Sequence, residues 1–83
     1  MTRNDLETEI RAILTRLTET DVSAVKRDDD LTDVIGLDSL GRLELLSEME
    51  EKFDVTIYDL NTDSVLTIND MLDVVEAAIL EPV

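Results

Sequence analysis

Ser39 is the hydroxyl in this chain best placed to do chemistry. It sits in Gly36-Leu37-Asp38-Ser39-Leu40, at the mouth of a leucine-rich helical pattern. The 83 residues include no cysteine and no histidine. A Ser-His-Asp relay, a Cys-His pair and a Cys/His metal centre are therefore all excluded. Carboxylates, two lysines and Tyr58 are what remain for proton transfer. With no base to activate it, Ser39 is no self-sufficient nucleophile. It reads as an attachment point that other enzymes modify and visit, on a chain that is not itself an enzyme.

The elements that must hold this serine are helical. Leu6, Ile10, Ile13, Leu14 and Leu17 fall on one face of a first helix over about 4–17. Asn4 or Thr2 can cap its start, and Glu7 and Arg11 form an i,i+4 pair away from that face. Residues 18–38 read as a long structured loop whose scattered Val, Ile and Leu pack against the helices. Loops of that length are usually functional. A second helix is predicted over 39–53, capped by Asp38, with Leu40, Leu43, Leu46, Met49 and Phe53 as its apolar stripe. On that reading Leu43 and Leu46 are core, and Gly41 costs its first turn about 1 kcal/mol against alanine. A short turn or helix is expected at about 62–66. A last helix over 68–80 buries Ile68, Met71, Leu72, Val75, Ala78 and Ile79, and Thr67 to Asp70 resembles a capping box. The expectation is an all-α fold: a small bundle of three main helices plus a short one, forming a single domain over 1–83.

Charge narrows the partners. The net charge is −14. Residues 1–27 balance to zero, and residues 28–83 set sixteen acids against Arg42 and Lys52. Such a surface repels phosphate backbones and anionic membranes and attracts basic protein surfaces. Phe53 and Tyr58 are the only aromatics, too few to stack bases. No apolar signal-like stretch and no run of about 18 apolar residues occurs. A cytoplasmic monomer that binds no nucleic acid and inserts in no membrane is expected.

Gly36-Leu37-Asp38-Ser39-Leu40, then Leu43-Glu44-Leu45, then Met49-Glu50-Glu51-Lys52-Phe53 and Ile57, together resemble the acyl carrier protein family with its peptidyl and aminoacyl relatives. The likeness covers nearly the whole chain in element order. It implies that Ser39 carries 4′-phosphopantetheine, transferred from coenzyme A by a separate Mg²⁺-dependent phosphopantetheinyl transferase. A chain without cysteine would gain its thiol this way and hold cargo as a thioester. The phosphodiester would lie at a helix N-terminus, where unpaired N–H groups favour an anion. The resemblance also implies that Asp38 and Leu40 take part in recognition by the synthase. It assigns partner docking to Leu40, Glu44, Glu50, Glu51 and Ile57. Implied partners beyond the transferase are an acyl- or aminoacyl-loading ligase and downstream transferases or synthases with basic docking surfaces. Gly41-Arg42, Ser47 and Tyr58 depart from the fatty-acid carriers. They point to a specialised lipid, polyketide, peptide or aminoacyl pathway. An aliphatic cargo would fold back between the second and last helices, while a polar one would stay outside.

Two other readings stand beside this one. Asp59, Asn61, Asp63, Thr67 and Asp70 nearly match an EF-hand calcium loop, but Ser64 replaces the glycine of its sharp turn. Asp59, Asn61, Asp63 and Asp70 are thus weak metal candidates, and the favoured assignment is no metal site. The third reading is an interaction module with Ser39 unmodified.

Overall fold

The computed structural model describes residues 2–57 and 65–80. Among the described residues there are four helices: α1 (Arg3–Thr18), α2 (Leu31–Ile35), α3 (Ser39–Phe53) and α4 (Ile68–Leu80). Among the described residues there is no strand.

Two threonine–aspartate pairs start the long outer helices. In α1, the Asp5 N–H donates to Thr2 Oγ1 and the Thr2 N–H donates back to Asp5 Oδ2, both at 3.2 Å. In α4, Asp70 N–H donates to Thr67 Oγ1 at 3.0 Å and Thr67 N–H donates to Asp70 Oδ2 at 3.1 Å. Both are capping boxes with Asp in place of Glu on the pattern Thr-x-Asn-Asp, the second as expected and the first choosing Thr2 over Asn4 as the cap.

α1 buries Leu6, Ile10, Ile13 and Leu14. α4 buries Ile68, Met71, Leu72 and Val75, while Ala78 is partly covered and Ile79 is 41% exposed. Only the last turn of the predicted face therefore drifts out of the core. Each fully buried Leu or Ile contributes about 1.5–3 kcal/mol of transfer free energy, so these faces set the helix positions. Ion pairs trim the edges: Arg16 with Glu48 at 2.6 Å and Lys52 with Glu9 at 3.3 Å join α1 to α3, and Arg3 reaches Asp73 and Glu76 of α4. Exposed pairs of this kind contribute about 0–1 kcal/mol each and mainly fix register.

The α3 stripe differs from the expected one. Arg42, Leu45, Leu46 and Met49 are buried, and Leu40 and Leu43 are 64% and 41% exposed. Four leucines at 40, 43, 45 and 46 fit either of two helical faces. Arg42 lies on the buried face, and that choice turns Leu43 outward.

The segment between α1 and α3 is not one uninterrupted loop. It holds α2, whose N-cap Asp30 accepts from Thr32 N–H at 2.9 Å. The stretch before α2 is tied to both outer helices. Arg11 Nη1 donates to the Val22 carbonyl at 2.7 Å, and Val22 is buried. Arg27 Nε donates to Glu7 at 2.6 Å, and the Arg27 carbonyl accepts from Asn69 N–H at 3.1 Å. Leu31 N–H donates to the Leu66 carbonyl at 2.9 Å. The chain that delivers Ser39 is thereby fastened at α1 and at the start of α4.

The expected turn or helix at about 62–66 lies mostly outside the described residues. Val65 and Leu66, which are described, are not helical.

Candidate functional site

Gly36 closes α2 in the left-handed region, with φ of 69°, where a side chain would be strained. Its N–H bonds to the Thr32 carbonyl at 3.1 Å, and the next N–H, of Leu37, bonds to the Leu31 carbonyl at 3.2 Å. The chain thus reverses within two residues and drives Leu37 into the core. Asp38 follows in extended geometry and caps α3, its Oδ1 accepting from Gly41 N–H at 2.7 Å. Ser39 is the first residue of α3 and is exposed. Its hydroxyl stands at the end of a 15-residue helix, where N–H groups lack intrahelical partners and the helix dipole favours an anion.

Beneath the serine lies a group that the charge pattern alone does not reveal. Arg42 is one turn along α3, and its side chain leans back toward the helix N-terminus, as helical side chains do. Its Nη2 donates to Ser39 Oγ at 3.2 Å and its Nη1 to Thr32 Oγ1 at 2.9 Å. The Thr32 hydroxyl spends its own proton on the Leu37 carbonyl at 2.7 Å, which leaves its lone pairs for the guanidinium. Arg42 is 8% exposed, and its Nε has no acceptor among the described residues. No carboxylate there lies within ion-pair distance of it. An exposed hydroxyl on a helix N-terminus, beside a buried cation with no counter-charge among the described residues, fits a phosphodiester.

The residues expected to surround this site divide into two groups. Leu40, Glu44 and Glu51 are exposed on α3. Leu43, expected in the core, joins them, and with Leu17, Glu44, Ser47, Glu48 and Glu51 it lines a shallow groove of about 360 Å³. Glu50 and Ile57 turn inward instead. Ile57 is 6% exposed, and its N–H donates to Glu50 Oε2 at 2.9 Å. The Glu50 carbonyl also accepts from Val55 N–H, just past Asp54, which ends α3 with φ of 53°. Glu50 therefore holds the chain end of α3 and seats Ile57 in the core, so Ile57 is not available on the surface.

Met49 and Met71 are wholly buried. Asp59, Asn61 and Asp63 lie outside the described residues, as does Tyr58. Asp70 is described, and the same Oδ2 accepts from both Leu66 and Thr67 N–H groups, so its carboxylate is engaged in capping. Among the described residues no three His, Cys, Asp or Glu side chains form a metal-sized cluster. None of the described helices is long and apolar enough to cross a membrane.

Residues 8–75 match the family described as "Phosphopantetheine attachment site". The chain is 28% identical to the acyl carrier protein of Exiguobacterium sp., over 92% of its own length and 96% of that protein's. It is 33% identical to the acyl carrier protein of Desulforapulum autotrophicum, over 82% and 90%. With the acyl carrier protein of Campylobacter jejuni it shares 29% identity over 82% and 88%. The fold and the matched span together define a phosphopantetheine-bearing carrier domain. This chain belongs to the acyl carrier protein family. Members of that family carry acyl groups on 4′-phosphopantetheine attached to a serine, are loaded by a phosphopantetheinyl transferase and serve biosynthetic enzymes as carriers, not catalysts.

Proposed function

We propose that Ser39 is the serine on which this chain bears 4′-phosphopantetheine, and that it presents acyl or aminoacyl intermediates to partner enzymes of a specialised lipid, polyketide or related pathway. The observation that carries this is the exposed Ser39 hydroxyl at the start of α3, inside the matched span. Once attached, the group supplies the thiol on which cargo is held as a thioester. Everything else is done by the chain itself. Asp38 caps the helix and fixes the serine at its mouth. The segment from Val22 to Leu37 is tied to α1 and α4 and holds that mouth still.

Leu40, Glu44 and Glu51 form the docking face, with Asp38 and Leu40 nearest the transferase. An exposed leucine among acids suits a basic rim around an apolar spot. Glu50 acts on this face only through the shape of the helix end. The departures at Gly41, Arg42 and Ser47 support a dedicated pathway over general fatty-acid synthesis. A cytoplasmic setting goes with a group drawn from coenzyme A.

The test is incubation with coenzyme A, Mg²⁺ and a broad-specificity phosphopantetheinyl transferase, read by intact mass. One added phosphopantetheine, absent in Ser39→Ala, is the expected result. No gain with several such transferases overturns the reading.

A further inference from the structure

We infer that Arg42 is a built-in phosphate ligand: its guanidinium binds and orients the phosphodiester on Ser39, and without that group the arginine is a buried cation that no carboxylate among the described residues pairs. The inference rests on Ser39 being the attachment residue.

Three observations carry it. The first is burial without a counter-charge. Arg42 is 8% exposed, and among the described residues no carboxylate pairs with it. A guanidinium does not shed its proton in proteins, so it cannot escape the cost of burial by becoming neutral. In a chain with 21 acids, a buried arginine beside a neutral hydroxyl is an anomaly unless an anion arrives there.

The second observation is the edge it presents. Nε and Nη2 lie on one side of the planar guanidinium, the side that grips two oxygens of a phosphate or carboxylate. Nη2 is 3.2 Å from Ser39 Oγ, and Nε is buried with no acceptor. The phosphorus would be bonded to that same Oγ. Its non-bridging oxygens would then stand next to Nη2, and a small shift of the atoms covering Nε would bring one of them to it.

The third is that the arginine is already aimed. Thr32 Oγ1 holds Nη1 at 2.9 Å and is itself oriented by its bond to the Leu37 carbonyl. Little side-chain freedom is left to lose when an anion binds.

Arg42 is thus a positioning residue. It fixes the first bond of the flexible arm and so the direction in which the arm leaves the helix.

The experiment uses the full chain with ¹⁵N labelling, before and after loading from coenzyme A. The Arg42 Nε–H signal is identified by its loss in Arg42→Lys. Loading should move that signal and slow its exchange with water by about an order of magnitude, as a new hydrogen bond to phosphate requires. The thermal midpoint should rise on loading in the wild type and rise less in Arg42→Gln. Should Arg42→Gln fail to fold, the Nε–H measurement on the wild type decides alone. A mass gain on Ser39 with an unmoved Nε–H signal overturns the role of Arg42 and leaves the carrier reading intact. No mass gain at all overturns both.

Discussion

Leu37 Cδ1 lies 2.8 Å from the point where a β-carbon on Gly41 would stand, and Asp38 Oδ1 lies 3.2 Å from it. The glycine in the first turn of α3 is therefore where the approach to Ser39 closes over the helix. Leu37 is buried and Asp38 is the cap, so neither moves away freely. Gly41→Ala gains about 1 kcal/mol in helix propensity. It must also displace a core leucine or a capping carboxylate, which costs about 1–3 kcal/mol. The expected outcome is a lower thermal midpoint for Gly41→Ala. A higher midpoint would mean that propensity governs this turn.

Glu50 and Ile57 give a second prediction. Removing the Glu50 carboxylate leaves the buried Ile57 N–H without its acceptor. Glu50→Ala should lose about 1–3 kcal/mol by chemical denaturation. Hydrogen exchange at the Ile57 amide should accelerate more than at amides in the middle of α1. If stability holds and only partner reactions suffer, Glu50 belongs to the docking face after all.

Glu7 couples α1 to the loop and gives the fold a pH dependence. Burial pushes its carboxyl pKa up, but hydrogen bonds and charge from Arg11 and Arg27 outweigh burial and hold it below the ordinary value. The bonds are 2.9 Å to Arg11 and 2.6 Å to Arg27. A lowered folded value stabilises the fold fully above the unfolded carboxyl value, about 4.3, and that contribution is lost as pH falls through the folded value. Glu7→Gln should be less stable than wild type at neutral pH, with the gap closing on acidification. A gap that is constant from neutral to acid would contradict this.

The exposed face of α3 yields the functional counterpart. Leu40 and Glu44 are exposed, so the thermal midpoints of Leu40→Ala and Glu44→Lys should stay near wild type. Loading by the transferase should slow through a higher KM, by about tenfold for a central apolar contact. The Glu44→Lys effect should shrink as salt rises, because exposed charges are screened. Unchanged kinetics in both variants would move the docking face elsewhere.

Periodicity made α1 and most of α4 legible, because their apolar residues repeat over four turns against polar neighbours. α2 was not legible, since five residues are too few for a helical period to show. The face of α3 was misread because its leucines serve two stripes equally well, and the buried one takes Leu45, Leu46 and Met49 and leaves Leu40 and Leu43 outside. Arg42 read as a departure from the fatty-acid carriers. Its burial against Thr32 depends on a side chain reaching back one turn, which spacing does not convey. Gly41 read as a weak point in the helix, because the leucine that needs its space is placed there by the turn at Gly36. Ile57 was assigned to docking only through the family resemblance, and the bond from its N–H to Glu50 that seats it in the core does not show in residue spacing.

The most direct test of the account is to locate the modification. After loading from coenzyme A, cleavage at arginine and lysine releases residues 28–42, a peptide whose only serine is Ser39. Fragmentation of that peptide should place one phosphopantetheine on Ser39 and none on Thr32. A group found on Ser23, Ser47 or Ser64, or found nowhere in the chain, would contradict the central claim.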